Sequence, residues 1–157
     1  MGTKDKDIRN KKRIGVIGGS RASSRHLDLA AEVGKLIAER GAILVCGGLS
    51  GVMEAACRGA KQAGGTTIGI LPGGNPSEAN AFVDIPIATG MGYTRNALVV
   101  MNADALIAVD GSYGTLSEIA YACVHGKRIV GLDSWDIKGL ETAATPEEAV
   151  EMALKPR

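Results

Sequence analysis

Ala105-Leu106-Ile107-Ala108-Val109-Asp110-Gly111-Ser112-Tyr113-Gly114-Thr115-Leu116-Ser117-Glu118 is an apolar run that breaks into a glycine-rich turn and then opens a helix. Five apolar residues without polar alternation suit a strand buried on both faces, the kind that builds parallel sheets. The turn that follows is built like an anion site. Glycine lets the backbone come close to a ligand, and the free N–H groups and dipole of a helix's first turn favour a phosphate. Glu118, one turn further on, would then face the bound molecule. The same letters carry a second reading, because Thr115 and Glu118 spell the T-x-x-E capping box, whose carboxylate closes back on the helix start. This segment alone does not choose between site and cap.

Working outward, the same theme recurs twice upstream. Arg13-Ile14-Gly15-Val16-Ile17 ends in Gly18-Gly19-Ser20, and Leu27, Ala30, Ala31, Gly34, Ile37 and Ala38 then recur at helical spacing. Ala42-Ile43-Leu44-Val45-Cys46 ends in Gly47-Gly48-Leu49-Ser50-Gly51, and a helix follows with Val52, Ala55, Ala56, Gly59, Ala60 and Ala63 on one side. A face of such small residues predicts a helix lying close to the sheet. Thr67–Leu71 reads as a third strand, 72–81 as a loop rich in Gly, Pro, Asn and Ser, and 82–87 as a short strand that Pro86 assigns to an edge or a strand end. Residues 92–103 read as a helix, 105–109 as a central strand, 115–125 as a helix and 128–132 as a strand. Thr145, Pro146 and Glu148 combine a capping box with a first-position proline and start a closing helix.

Strands with few charges, each followed by a helix, predict a Rossmann-like three-layer α/β/α sandwich on a mostly parallel sheet. With 157 residues, 45% apolar and 22% charged, the chain fits one such domain over 13–157 after a polar tail at 1–12, expected to be disordered. Ligands of these sheets bind outside the carboxyl ends of the strands, where all three glycine turns must gather. A net charge of +1 and acidic residues interrupting the basic tail give no reason to expect nucleic acid or a membrane as partner. No apolar run is long enough to span a bilayer and none resembles a signal peptide, so the cytoplasm is the expected location.

Several chemistries lack their residues. The first loop has no G-x-G-x-x-G and the second strand ends in Cys46-Gly47 without a carboxylate, which argues against a nicotinamide cofactor. The lysine and hydroxyl of a P-loop are missing too. Cys46, Cys57 and Cys123 fall at no metal-ligand spacing and read as reduced core residues, while His26 and His125 read as helix-surface residues. No metal is expected.

These turns resemble those of the Lonely Guy (LOG) proteins, often mislabelled lysine decarboxylases, and of their molybdenum-cofactor-carrier-like relatives. The resemblance runs from Arg13 to Leu132 and rests on Gly18-Gly19-Ser20, G-G-x-x-G-x-M at Gly47–Met53, Arg95, and G-x-x-G-T-x-x-E at Gly111–Glu118. It implies a Rossmann-like fold, a homo-oligomer (dimer or tetramer), and a bound nucleoside 5′-monophosphate or similar phosphorylated compound, with molybdenum cofactor as a second ligand type; no cofactor is required. Its ligand-binding positions here would be Gly18, Gly19, Ser20, Gly47, Gly48, Gly51, Met53, Asp110, Gly111, Ser112, Gly114 and Thr115. In the family's enzymes it implies hydrolysis of a nucleotide's N-glycosidic bond, releasing free base and ribose 5-phosphate, with Arg95 and Glu118 as the catalytic pair. A carboxylate suits the oxocarbenium character of that cleavage, and an arginine orients ligand oxygens in pairs.

Two positions depart from the enzymes' pattern. Asp110-Gly111-Ser112 stands where they carry Pro-Gly-Gly, and Asn96 where they carry lysine. An added carboxylate beside a phosphate cradle costs affinity unless it is neutralised, and the lost lysine removes a positive charge. Both departures resemble the carrier-like branch of the family, which implies a binding protein rather than a catalyst. Retained Arg95 and Glu118 favour the hydrolase, and a structural or partner-binding role is the third alternative. Pyridoxal phosphate chemistry finds no suitable lysine, since Lys127 precedes its strand and lies at the wrong edge of the sheet. Tyr93 and Tyr113, inside the motif loops, suit either base stacking or a subunit interface.

Overall fold

Runs rich in β-branched and aliphatic residues, with a charge only at the first position of three of them, form the strands of the computed structural model, which describes residues 7–156. These are β1 (Arg13–Gly18), β2 (Ile43–Cys46), β3 (Thr67–Leu71), β4 (Ile85–Ala88), β5 (Ala105–Val109), β6 (Arg128–Leu132) and β7 (Glu141–Ala143). They build one sheet in the order β4-β3-β2-β1-β5-β6-β7, and every neighbouring pair is parallel. Because parallel strands need crossovers, helices cover both faces. Those helices are α1 (Ser24–Glu39), α2 (Val52–Gln62), α3 (Asn96–Met101), α4 (Tyr113–Val124) and α5 (Pro146–Leu154). One core joins α1, α2 and α5 to the sheet, and the other joins α3 and α4. The expected three-layer sandwich is therefore the observed fold.

The chain runs outward from β1 to β4, then returns to place β5 on the other side of β1. That reversal makes the β1/β5 seam the topological switch point, where the loops after both strands splay apart and leave a crevice. Residues 1–6 of the expected tail lie outside the described residues, and the remainder carries a 3-10 turn at Ile8–Asn10.

Several expectations are corrected. The helix read over 92–103 is a 3-10 turn at Gly92–Arg95 followed by the six-residue α3. The strand read over 82–87 is shorter, at Ile85–Ala88, with Pro86 at the sheet edge, where a missing N–H costs no ladder bond. β7 was not foreseen, and the 72–81 loop contains a 3-10 turn at Pro76–Glu78. The small face of α2 serves close packing on α1 more than on the sheet. A Cβ at Gly34 would overlap the carbonyl oxygen of Ala56, and one at Gly59 that of Ala31, so each helix brings a glycine against the other's backbone. At α5, Thr145 Oγ1 accepts from the Glu148 amide at 3.2 Å, but Glu148 Oε2 reaches Ala144 N at 2.9 Å, one residue before the cap.

Cys46 and Cys57 are core residues with sulfurs 3.5 Å apart. Its hydrogen bond to Cys46, with burial added, pushes the Cys57 thiol well above the ordinary range. Cys123, expected in the core, is exposed, because α4 turns that position away from the sheet. His125 lies on the surface. His26, also expected there, is only 17% exposed, with Nε2 2.7 Å from Asp133 Oδ2 and Nδ1 2.7 Å from Ser23 Oγ.

Candidate functional site

At the carboxyl end of the β1/β5 seam lies a cavity of about 550 Å³. Gly18, Gly19 and Ser20 line it from the loop after β1, and Gly47 and Met53 from the loop and helix after β2. Ser112, Gly114 and Thr115 line it from the start of α4. The three glycine turns thus converge as the topology requires. The backbone amide of Val52, the first residue of α2, donates to the Gly19 carbonyl at 3.1 Å and ties the first two turns together.

Four of the candidate positions do not line the cavity. Gly48 (φ 77°) packs toward β3, its amide on Cys46 Sγ and its carbonyl accepting from Asn80. Gly51 (φ 72°) caps α2 against the backbone of Gly19 and Ser20, where a Cβ has no room. Gly111 lies beneath Thr115. Asp110 takes a left-handed conformation (φ 52°), and its carboxylate lies 3.9 Å from His26 Nδ1. The extra carboxylate is thus not part of the cavity wall.

The capping-box reading of Thr115 and Glu118 is overturned. α4 begins at Tyr113 with Ser112 as its cap, so Glu118 is a full turn too far along to close on the helix start. Glu118 instead faces the cavity and is only 7% exposed. Burial pushes its carboxyl up to about 8, against the opposing pull of the Arg95 charge. It is therefore mostly protonated at neutral pH.

Arg95 is 6% exposed and fixed by backbone. Its Nε donates to the Ile70 carbonyl at 2.8 Å, one Nη donates to the Gly47 carbonyl at 3.3 Å, and the other donates to Asn96 Oδ1. Burial lowers its pKa and the neighbouring Glu118 raises it, but a guanidinium remains charged. Among the described residues Arg95 and Glu118 form no ion pair. A cation with its orientation already set and a neutral acid thus share one cavity.

Sequence reasoning treated Asn96 only as a lost lysine. Its amide is buried, accepts from Arg95 and donates to Ser117 Oγ at 3.0 Å, so it couples α3 to α4 along the cavity wall. Its signal was adjacency to Arg95. Leu49 and Ser117 also line the cavity; each sits inside a quoted motif at a position written x. Tyr93 and Tyr113 stand in the wall with 85% and 81% exposure. Lys127 lies at the opposite sheet edge, where its Nζ donates to the carbonyls of Met101 and Ala103. Among the described residues no three His, Cys, Asp or Glu side chains are grouped to hold a metal, and no helix is long and apolar enough to cross a membrane.

The sequence profile of the SLOG cluster4 family matches residues 11–156. The chain belongs to this family. An uncharacterized protein of Archaeoglobus fulgidus is 48% identical over 142 residues, which are 90% of this chain and 93% of that protein. The cytokinin riboside 5′-monophosphate phosphoribohydrolase of Mycobacterium tuberculosis is 36% identical over 118 residues, 69% of this chain but only 63% of the enzyme. The molybdenum cofactor binding protein of Rippkaea orientalis superposes with a TM-score of 0.86 at 39% identity, covering 90% of this chain and 94% of that one. This SLOG cluster4 chain is thus similar both to a nucleotide hydrolase and to a cofactor-binding protein, and the resemblance read from the glycine turns stands.

Proposed function

We propose that this protein binds a phosphorylated nucleotide-like small molecule, of the nucleoside monophosphate or molybdenum-cofactor type, in the cavity at the β1/β5 seam, and acts as its carrier. The observation that carries this reading is the convergence of three glycine turns on one cavity that also contains a charged arginine with a fixed orientation. Gly114 and Thr115 lie in the first turn of α4, whose free amides suit a phosphate. The cavity's volume lies within the range of small-molecule pockets. A molybdenum cofactor would be cargo here, held by its phosphate end in the same cradle.

A second reading, nucleoside 5′-monophosphate phosphoribohydrolase, is favoured by Glu118 and by the direction of Asp110. With Asp110 turned toward His26, the main objection to catalysis loses its charge from the cavity wall. Hydrolysis would consume one water, its hydroxyl ending on the ribose carbon and its proton on the departing base. Glu118 is suited to manage that proton, and Arg95 to orient the ribose phosphate. Chromatography of base release from AMP and related monophosphates, with Glu118→Gln alongside, separates the readings. Base release lost in the variant makes the protein a hydrolase. Thermal stabilisation by a monophosphate without release leaves a carrier, and neither effect with any monophosphate sinks the nucleotide reading in favour of a structural role.

The homo-oligomer belongs to the same proposal. Ile85 and Ile87 on β4 pair in register with Ile68 and Ile70, yet they remain about half exposed, and Met101 and Val124 add apolar surface on α3 and α4. A parallel sheet is ordinarily covered on both faces, and a second copy is the proposed cover. Sedimentation of wild type and Val124→Asp tests it, a dimer or tetramer in the first and a shift toward monomer in the second being the expected result.

A further inference from the structure

The loop after β6, Asp133-Ser134-Trp135, belongs to no motif in the glycine turns, yet it is fastened to the cradle at several points. Ser134 Oγ donates to the Asp110 carbonyl at 2.7 Å, and Trp135 Nε1 donates to the Ser112 carbonyl at 3.2 Å. Asp133 anchors the loop's other side, on Arg25 at 2.5 Å and on His26 Nε2 at 2.7 Å. Asp133 and Asp110 are the two non-glycine residues with positive φ among those described, and each directly follows one of two neighbouring parallel strands. The Trp135 side chain also packs against the core beneath α3 and α4. Its indole is therefore fixed from several sides.

On that indole rests Tyr113. The two ring centroids are 6.1 Å apart with planes tilted by 37°, inside the range of favourable aromatic pairs. Tyr113 lines the cavity and is nevertheless 81% exposed, so most of its ring is open. It is also the first residue of α4, immediately before Gly114 and Thr115 of the cradle. A ring next to a phosphate cradle, backed by a pinned indole and open otherwise, is a surface for a planar group joined to that phosphate.

We propose that Tyr113, backed by Trp135, is the wall against which the planar ring of the ligand stacks, which makes the 133–135 loop the ring-recognition element of the site. This rests on the nucleotide-like reading above and specifies which part of the ligand the loop contacts. Stacking accepts any flat heterocycle, so a purine and a pterin would both fit, and a bare sugar phosphate would gain nothing from it.

The test compares AMP with ribose 5-phosphate, which lacks the ring, by calorimetry on wild type, Tyr113→Ala and Tyr113→Phe, with free base monitored. Trp135 is the chain's one tryptophan, so its emission reports directly on this wall. The expected result is that Tyr113→Ala weakens AMP roughly ten-fold and leaves ribose 5-phosphate unchanged, that Tyr113→Phe restores AMP, and that AMP alone shifts Trp135 emission. Wild-type protein that takes ribose 5-phosphate as tightly as AMP overturns the inference. So does a Tyr113→Ala variant that keeps AMP, or one that loses both ligands equally. Wild type that binds neither refutes the nucleotide-like reading itself, a failure distinguishable from the other three.

Discussion

Replacing Glu118 with glutamine tests the electrostatics of the cavity without any ligand. The amide has nearly the same shape and no charge at any pH. In the folded protein burial holds the Glu118 carboxyl at about 8, against 4.5 for an unperturbed side chain. A raised acid binds its proton more tightly when folded, so its stabilising effect is complete below about pH 4.5 and is lost as pH climbs toward 8. Between those limits wild-type stability should fall by about 1.4 kcal/mol per pH unit from this group alone. Glutamine has no such slope. From pH 5.5 to 7.5, Glu118→Gln should therefore gain on the order of 2 to 3 kcal/mol on wild type, all other titrating groups cancelling in the difference. Urea unfolding followed by Trp135 fluorescence at three pH values in that interval measures it. Parallel pH profiles for the two proteins would mean that Glu118 is already ionised at pH 5.5, and the account of a desolvated acid beside Arg95 would be wrong.

Three further perturbations follow from the packing and the site. Gly34→Ala forces α1 away from the Ala56 carbonyl and should cost about 2 kcal/mol in urea unfolding; an unchanged midpoint contradicts the close helix contact. Arg95→Lys keeps the charge but cannot reproduce the three-way hold on Ile70, Gly47 and Asn96, so stabilisation by a nucleoside monophosphate in a thermal melt should largely vanish. Full retention would show that charge alone suffices. Thr145→Ala removes the side-chain acceptor at the start of α5 and should cost about 1 kcal/mol, read as a lower urea midpoint; no change would mean that Glu148 on Ala144 carries the cap by itself.

The strands most legible in the sequence were those buried on both faces, because uncharged runs such as Ala105–Val109 admit few other readings. β7 escaped because Glu141-Thr142-Ala143 is short and mostly exposed, so only its pairing to β6 marks it as a strand. The start of α4 was read two residues late, since Tyr113 and Gly114 look like turn residues until the helix is seen. That small error in phase sustained the capping-box alternative for Glu118. In the candidate site, glycine turns announced where a ligand could approach but not which glycines face it. Gly48 and Gly51 serve the turn's own geometry and neighbouring backbone, which no letter distinguishes from the role of Gly47. The direction of the Asp110 side chain depends on His26 and the 133–135 loop, both remote in sequence, and was not readable in advance.

The pairing of β1 with β5 has a temporal consequence. Ile14 through Gly18 find their partners in Ala105 through Val109, about ninety residues later, and the crevice between them exists only once that pairing is made. During synthesis the first glycine turn must wait while three strands and two long helices form outward from it. Any ligand held at this seam therefore bridges segments about ninety residues apart in sequence, and its capture reports that β1 and β5 have paired.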